Sequence, residues 1–137
     1  MKNKLFLKRI FYSLISIFIL LLICFLIPFP SAIQRAFFPL VAILGFIFLI
    51  LGIILIFISR KEKGKLKLFL MSTGISAVAP LVSTILHNLF YALSITFENF
   101  KYLFEALHAT FFIIAIIIAP IIFIAGVIGS IIFFNKK

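Results

Sequence analysis

Four apolar runs, at roughly 10–27, 37–58, 68–90 and 109–134, take up most of this 137-residue chain and leave few folds open to it. Each reaches the roughly 20 residues that an α-helix needs to cross a hydrocarbon layer about 30 Å thick. Lipid offers no water to unpaired backbone groups, so such a span satisfies its own N–H and C=O groups as a helix. The expectation is an all-α membrane protein, one integral domain over 1–137 with four transmembrane helices. Composition closes the soluble alternative. The chain is 66% hydrophobic and 12% charged, whereas soluble domains are about half apolar and a quarter charged. A water-soluble domain this small keeps much of its surface wet and has no room to hide so many Ile, Leu and Phe side chains.

The net charge of +10 is distributed by side. Lys2, Lys4, Lys8 and Arg9 precede the first run. Arg60, Lys61, Lys63, Lys65 and Lys67 fill the second break against Glu62, and Lys136 and Lys137 follow the fourth run. In a four-span topology all of these share one side, and the other side holds Arg35 and Lys101. Short basic loops stay in the cytoplasm, so both termini are expected there, and the basic clusters are expected to meet anionic lipid. No nucleic-acid-binding module is present to give the charge another use. The first run is longer than a signal-peptide core and lacks a small-x-small exit, so it is expected to remain as an anchor helix. Cys24 is the single cysteine, which leaves no partner for an internal disulfide or dithiol chemistry.

Small and polar residues suggest how the spans pack. Ala42, Gly45, Leu49 and Gly52 follow one stripe of the second helix. Ala115, Ala119, Gly126 and Gly129 do the same on the fourth, and such stripes let helix backbones approach in lipid. The third helix is the most polar: Ser72, Ser76, Ser83 and His87 share a face, with Thr73, Ala77, Pro80, Thr84, Asn88 and Tyr91 on its flank. It belongs inside the bundle. Between the third and fourth helices, Phe97, Phe100, Phe104 and Leu107 recur every three or four residues, with Glu98, Lys101, Glu105 and His108 off that stripe. This predicts a short amphipathic helix at the outer interface.

Candidate chemistry is confined to His87, Asn88, Tyr91, Glu105 and His108. The two histidines should reach similar heights near the outer boundary and face each other across antiparallel helices. Three readings follow. Glu105 and His108, at i and i+3, with His87 can offer three ligands to a divalent metal. The same groups can pass protons or handle a substrate. Or they sit shallow enough to meet headgroups and serve as anchors. Pro80 and Pro120 should lie at one depth and kink their helices at Ser76 and Ile116, opening a cavity below His87. The runs contain no acidic residue, which disfavours a small cation-coupled exporter built around a buried Glu; the chain has no hydrolase or phosphate-loop motif, an enzyme is disfavoured and no cofactor is expected.

The second half, with Gly74-Ile-Ser-Ala-Val, His87-Asn-Leu-Phe-Tyr91, Phe111-Phe-Ile-Ile-Ala115, Pro120, Phe123, Gly126 and Gly129-Ser-Ile131, resembles a group of small four-span membrane proteins of bacteria and archaea with no assigned activity. The resemblance covers roughly residues 66–134 and implies the same fold, in the cytoplasmic membrane. The group tends to carry an acidic residue directly before the Phe-Phe pair, where this chain has Ala109 and Thr110. The expectation is an accessory or oligomerising membrane component, partnered by copies of itself or a larger membrane protein. The alternatives are a small transporter or channel with a path along helices 3 and 4, and then a metal-dependent membrane enzyme.

Overall fold

A computed structural model describes residues 2–28 and 30–135 of the chain. Helix α1 covers Lys2–Leu26, α2 Ser31–Ser59 and α3 Gly64–Thr96. A 3-10 turn at Glu98–Phe100 leads into α4 at Lys101–Ile113, a π-helical turn at Ile114–Ile118, and α5 at Ala119–Asn135. The last three are one continuous rod, so the described residues form four antiparallel helical rods. All four are long and apolar enough to cross a membrane.

Each rod outruns its apolar run. Lys and Leu are good helix formers, so α1 takes in Lys4, Lys8 and Arg9. At 1.5 Å per residue α3 is about 50 Å long, well beyond a hydrocarbon layer of about 30 Å. Proline and glycine mark the turns. Ile27 still donates its N–H to the Ile23 carbonyl (3.1 Å) before Pro28 and Pro30 end the first hairpin arm. The Arg60–Lys63 turn closes through Gly64, whose φ of +65° is a left-handed conformation that a side chain would strain.

Helix α3 is the hub, packing on α2, α4 and α5. Backbones come closest at glycine. A Cβ on Gly74 would lie 2.9 Å from the Gly52 carbonyl oxygen, and one on Gly126 would lie 3.0 Å from the Thr73 nitrogen. A Cβ on Gly45 would meet nothing within 4 Å. Of the two glycines in the α2 stripe, only Gly52 therefore serves a close approach. Helix α1 packs on α2 and reaches α5 through Phe18 and Phe123, whose ring centroids are 4.3 Å apart.

The basic segments do gather at one end. A groove lined by Lys4, Lys8, Glu62, Leu66 and Phe134 brings together the start of α1, the α2–α3 turn and the end of α5. Lys136, Lys137 and the Lys2 side chain lie outside the described residues. Arg35 and Lys101 belong to the opposite end. Most of the buried core, including Leu7, Phe11, Leu14, Leu55, Leu66, Leu70 and Phe123, sits in the basic half.

Helix α3 takes the interior place its polarity predicted, yet it spends that polarity on itself. Thr73 Oγ1 donates to the Phe69 carbonyl (2.8 Å), Ser76 Oγ to that of Ser72 (2.7 Å) and Ser94 Oγ to that of Tyr91 (2.7 Å). Such back-bonds let a hydroxyl be buried in an apolar bundle without a cross-helix partner.

Two features of the fourth rod were not anticipated. The stretch 101–108 runs unbroken into the fourth rod, because nothing between Leu107 and Phe111 interrupts a helix. Its apolar stripe folds onto α3: the Phe104 and Phe111 rings lie 6.1 Å and 5.5 Å from that of Phe90. The second is the π turn before Pro120. Ala119 donates its N–H to the Ile114 carbonyl five residues back. Pro120 has no N–H to return to Ile116, and the widened turn sits where that bond is missing.

Candidate functional site

The register of α3 sets the height of His87. At 1.5 Å per residue it stands about 28 Å above Leu68 along the helix. That distance is close to the thickness of a hydrocarbon layer, about 30 Å. His108 descends from the other side, two turns into α4. The 3-10 turn between them sets the register, and the two imidazoles stack with centroids 3.8 Å apart and 22° between their planes.

The hydrogen bonds are reciprocal. His87 Nδ1 lies 3.1 Å from the backbone oxygen of His108, and His108 Nδ1 lies 3.1 Å from the backbone oxygen of His87. A carbonyl only accepts, so both Nδ1 atoms carry the proton and donate. A carbonyl oxygen has two lone pairs, so each can take this bond beside its helical one. Both rings are thereby held in the same tautomer, with Nε2 as the remaining nitrogen.

Aromatic rings extend the pair on both sides. Tyr91 lies 5.3 Å from His108, and Phe112 lies 5.4 Å from His87, each tilted by 37°. The order is Tyr91, His108, His87, Phe112, a stack of four rings drawn alternately from two helices. It has a local pseudo-twofold, because each histidine is followed four residues later by an aromatic that covers the other histidine. Phe112, the second ring of the Phe-Phe pair, was not among the candidate site residues read from the sequence. Its signal was present as the repeated spacing His-x-x-x-aromatic at 87–91 and 108–112.

The remaining candidates stand apart from this stack. Glu105 is half exposed and lies 3.9 Å from Lys101 Nζ, one turn earlier on the same helix. An exposed pair of this kind adds little stability. Asn88 is exposed on α3. Among the described residues no group of three or more His, Cys, Asp and Glu side chains converges. By the register of Thr73 on Gly126, Pro80 stands level with Pro120, as expected. Open grooves lie against Tyr12, Phe57, Val41 and Phe134.

The geometry makes a specific energetic prediction. Each ring donates to backbone, so truncating one histidine leaves the other its acceptor. His87→Ala and His108→Ala should each cost about 1 kcal/mol. Their double mutant should show a coupling of about 0.5–1 kcal/mol from the lost ring contact. Reversible unfolding in mixed micelles measures all three, and zero coupling would mean that the rings do not touch.

No protein-family model matches the chain, and neither a curated protein nor a solved structure is significantly similar to it.

Proposed function

We propose that this chain is an accessory or self-associating component of a prokaryotic cytoplasmic membrane, with both termini cytoplasmic, acting through protein contact and not through catalysis. The observation that carries this reading is the four-ring stack. Both imidazoles give their Nδ1–H to the facing backbone and their ring faces to each other and to Tyr91 and Phe112. Groups committed in this way lock two helices together. The orientation rests on the gathering of basic residues at one end of the bundle, the end that short-loop charge keeps in the cytoplasm.

Any partner must find a different surface from the one the sequence offered. Thr73, Ser76, Ser83, Ala119, Gly126 and Gly129 are buried within the chain, so the small-residue faces of α3 and the fourth rod are spent inside the bundle. Among the residues that α3 leaves exposed are Thr84, Asn88 and Tyr91, beside apolar ones such as Ile85 and Leu89. The Asn88 carboxamide can hydrogen-bond a second helix, an interaction that association in lipid uses.

A second reading, a transport path along α3 and the fourth rod, draws on Pro80 standing level with Pro120 and its π turn. Mild-detergent purification of tagged protein with mass spectrometry separates the two, run beside Asn88→Leu and His87→Ala. The accessory reading expects a stoichiometric membrane partner or homo-oligomer, lost in Asn88→Leu and retained in His87→Ala. A monomer whose reconstituted vesicles leak solute until His87 is replaced would sink it.

A further inference from the structure

We propose that the outward side of α1 near its basic end is a binding site for one anionic phospholipid, held by Arg9, Lys8, Tyr12 and Ser13. Helix α1 turns Leu7, Phe11 and Leu14 into the core. That rotation carries Lys8, Arg9, Tyr12, Ser13 and Ser16 to the outside, where all five are exposed. They line an open groove of about 710 Å³ with Leu5 and Ile17. A helix face that meets only hydrocarbon has no use for hydroxyls. Ser16 satisfies its own by donating to the Tyr12 carbonyl (3.0 Å). Arg9 and Ser13 make no hydrogen bond or ion pair among the described residues. Lys8 rests its Nζ 5.5 Å from the Phe134 ring, at the edge of the groove.

The vertical order of these groups matches the ligand. Arg9, Ser13 and Ser16 follow one row of the helix, and the rise from Arg9 to Ser16 is about 10 Å. A diacyl phospholipid presents, from the surface inward, a phosphodiester, two glycerol esters and then hydrocarbon. Set against α1, the phosphodiester meets the Arg9 guanidinium, whose fork suits two phosphate oxygens, with Lys8 as a second charge. The ester oxygens come level with the Tyr12 and Ser13 hydroxyls, which can donate. The acyl chains continue past Ile17 and Leu20.

Charge selects the headgroup. No Asp or Glu lines this groove, and Glu62 shares only the neighbouring groove with Lys8, so a zwitterionic headgroup brings its own cation against Lys8 and Arg9 with no carboxylate in the groove to receive it. A glycerol headgroup brings none. The Arg60–Lys67 turn has more positive charge but no comparable ladder of hydroxyls beneath it. The site therefore differs in kind from diffuse attraction of basic loops to a membrane, and it holds whichever leaflet the basic end faces.

Native mass spectrometry of the detergent-purified full chain, titrated with phosphatidylglycerol or phosphatidylcholine of identical acyl chains, tests this. Wild type should carry about fivefold more bound phosphatidylglycerol, the worth of one well-placed cation at an anionic surface. Arg9→Gln with Ser13→Leu should bring it down to the phosphatidylcholine level. Both side chains are exposed, so helicity and elution volume should not change. Lys61→Gln with Lys63→Gln, which removes more charge from the turn, should leave the preference in place. Equal loss in the turn variant would reduce the effect to net charge and overturn the site. So would displacement of the lipid by soluble glycerol phosphate, which would make the ligand a free phosphoester, or a wild type without headgroup preference.

Discussion

Gly126→Ala is expected to lower the unfolding free energy in mixed micelles by about 2–3 kcal/mol, within the range for overpacking a close contact. The new methyl would lie 3.0 Å from the Thr73 nitrogen and 3.1 Å from the Phe69 carbonyl oxygen. Both are backbone atoms of a helix and have no rotamer to escape into, so α3 and α5 must move apart. Gly129→Ala drives its methyl into Cγ, Cδ1 and Cε1 of the Phe69 ring. Cγ lies on the ring's own axis of rotation, so turning the ring does not clear it, and the cost should be of similar size. Gly45→Ala meets nothing within 4 Å and should be neutral or stabilise by up to about 1 kcal/mol through helix propensity. The contrast of Gly126 and Gly129 with Gly45 is the test. Equal costs at all three would mean that α3 and α5 do not touch at Thr73 and Gly126.

Phe123→Ala should be nearly as damaging, by a different route. Phe123 is 2% exposed and packs on Phe18 at 4.3 Å and Phe48 at 5.4 Å between ring centroids. In a water-soluble core such a truncation costs about 3–5 kcal/mol, partly because the lost side chain had been withdrawn from water. In a bilayer that part vanishes, since lipid is as apolar as the core. What remains is the dispersion forfeited around the void, about 2 kcal/mol. Phe25, 78% exposed, has few such contacts to lose, and Phe25→Ala should change stability by less than about 0.5 kcal/mol. If the two cost the same, packing is not what holds the bundle together.

The broad architecture was readable because lipid makes hydrophobicity nearly a length measurement. Runs such as 37–58 announce a helix without reference to any other part of the chain, and the basic clusters announce which ends belong together. The level placement of Pro80 and Pro120 and the meeting of His87 with His108 were readable for the same reason, since antiparallel helices joined by short turns have a countable register. Packing was not. Gly45 and Gly52 look alike in a stripe, and only the crossing point of α2 on α3 distinguishes them. The resting place of 101–108 was hidden because amphipathicity tells that a helix has an apolar side but not what that side lies on. Phe90 proved to be the answer, and it lay in another apolar run. The π turn is a local accommodation to Pro120 that no periodicity reveals. Phe112 looked like one more lipid-facing ring in a chain with 20 phenylalanines.

The concentration of buried residues in the basic half gives the bundle a direction of failure. Helix α4 buries no residue fully, while α1, α2 and α5 each bury residues toward the basic end. Local opening free energy follows local packing. Backbone amides of 98–105 should therefore exchange with deuterium first, those near His87 and His108 next, and those around Phe11, Leu55, Thr73 and Gly126 last. The protein should part from the far end like two hairpins still clasped at the base. Above that base, the histidine stack and the phenylalanines around Phe90 are what hold α4 to α3.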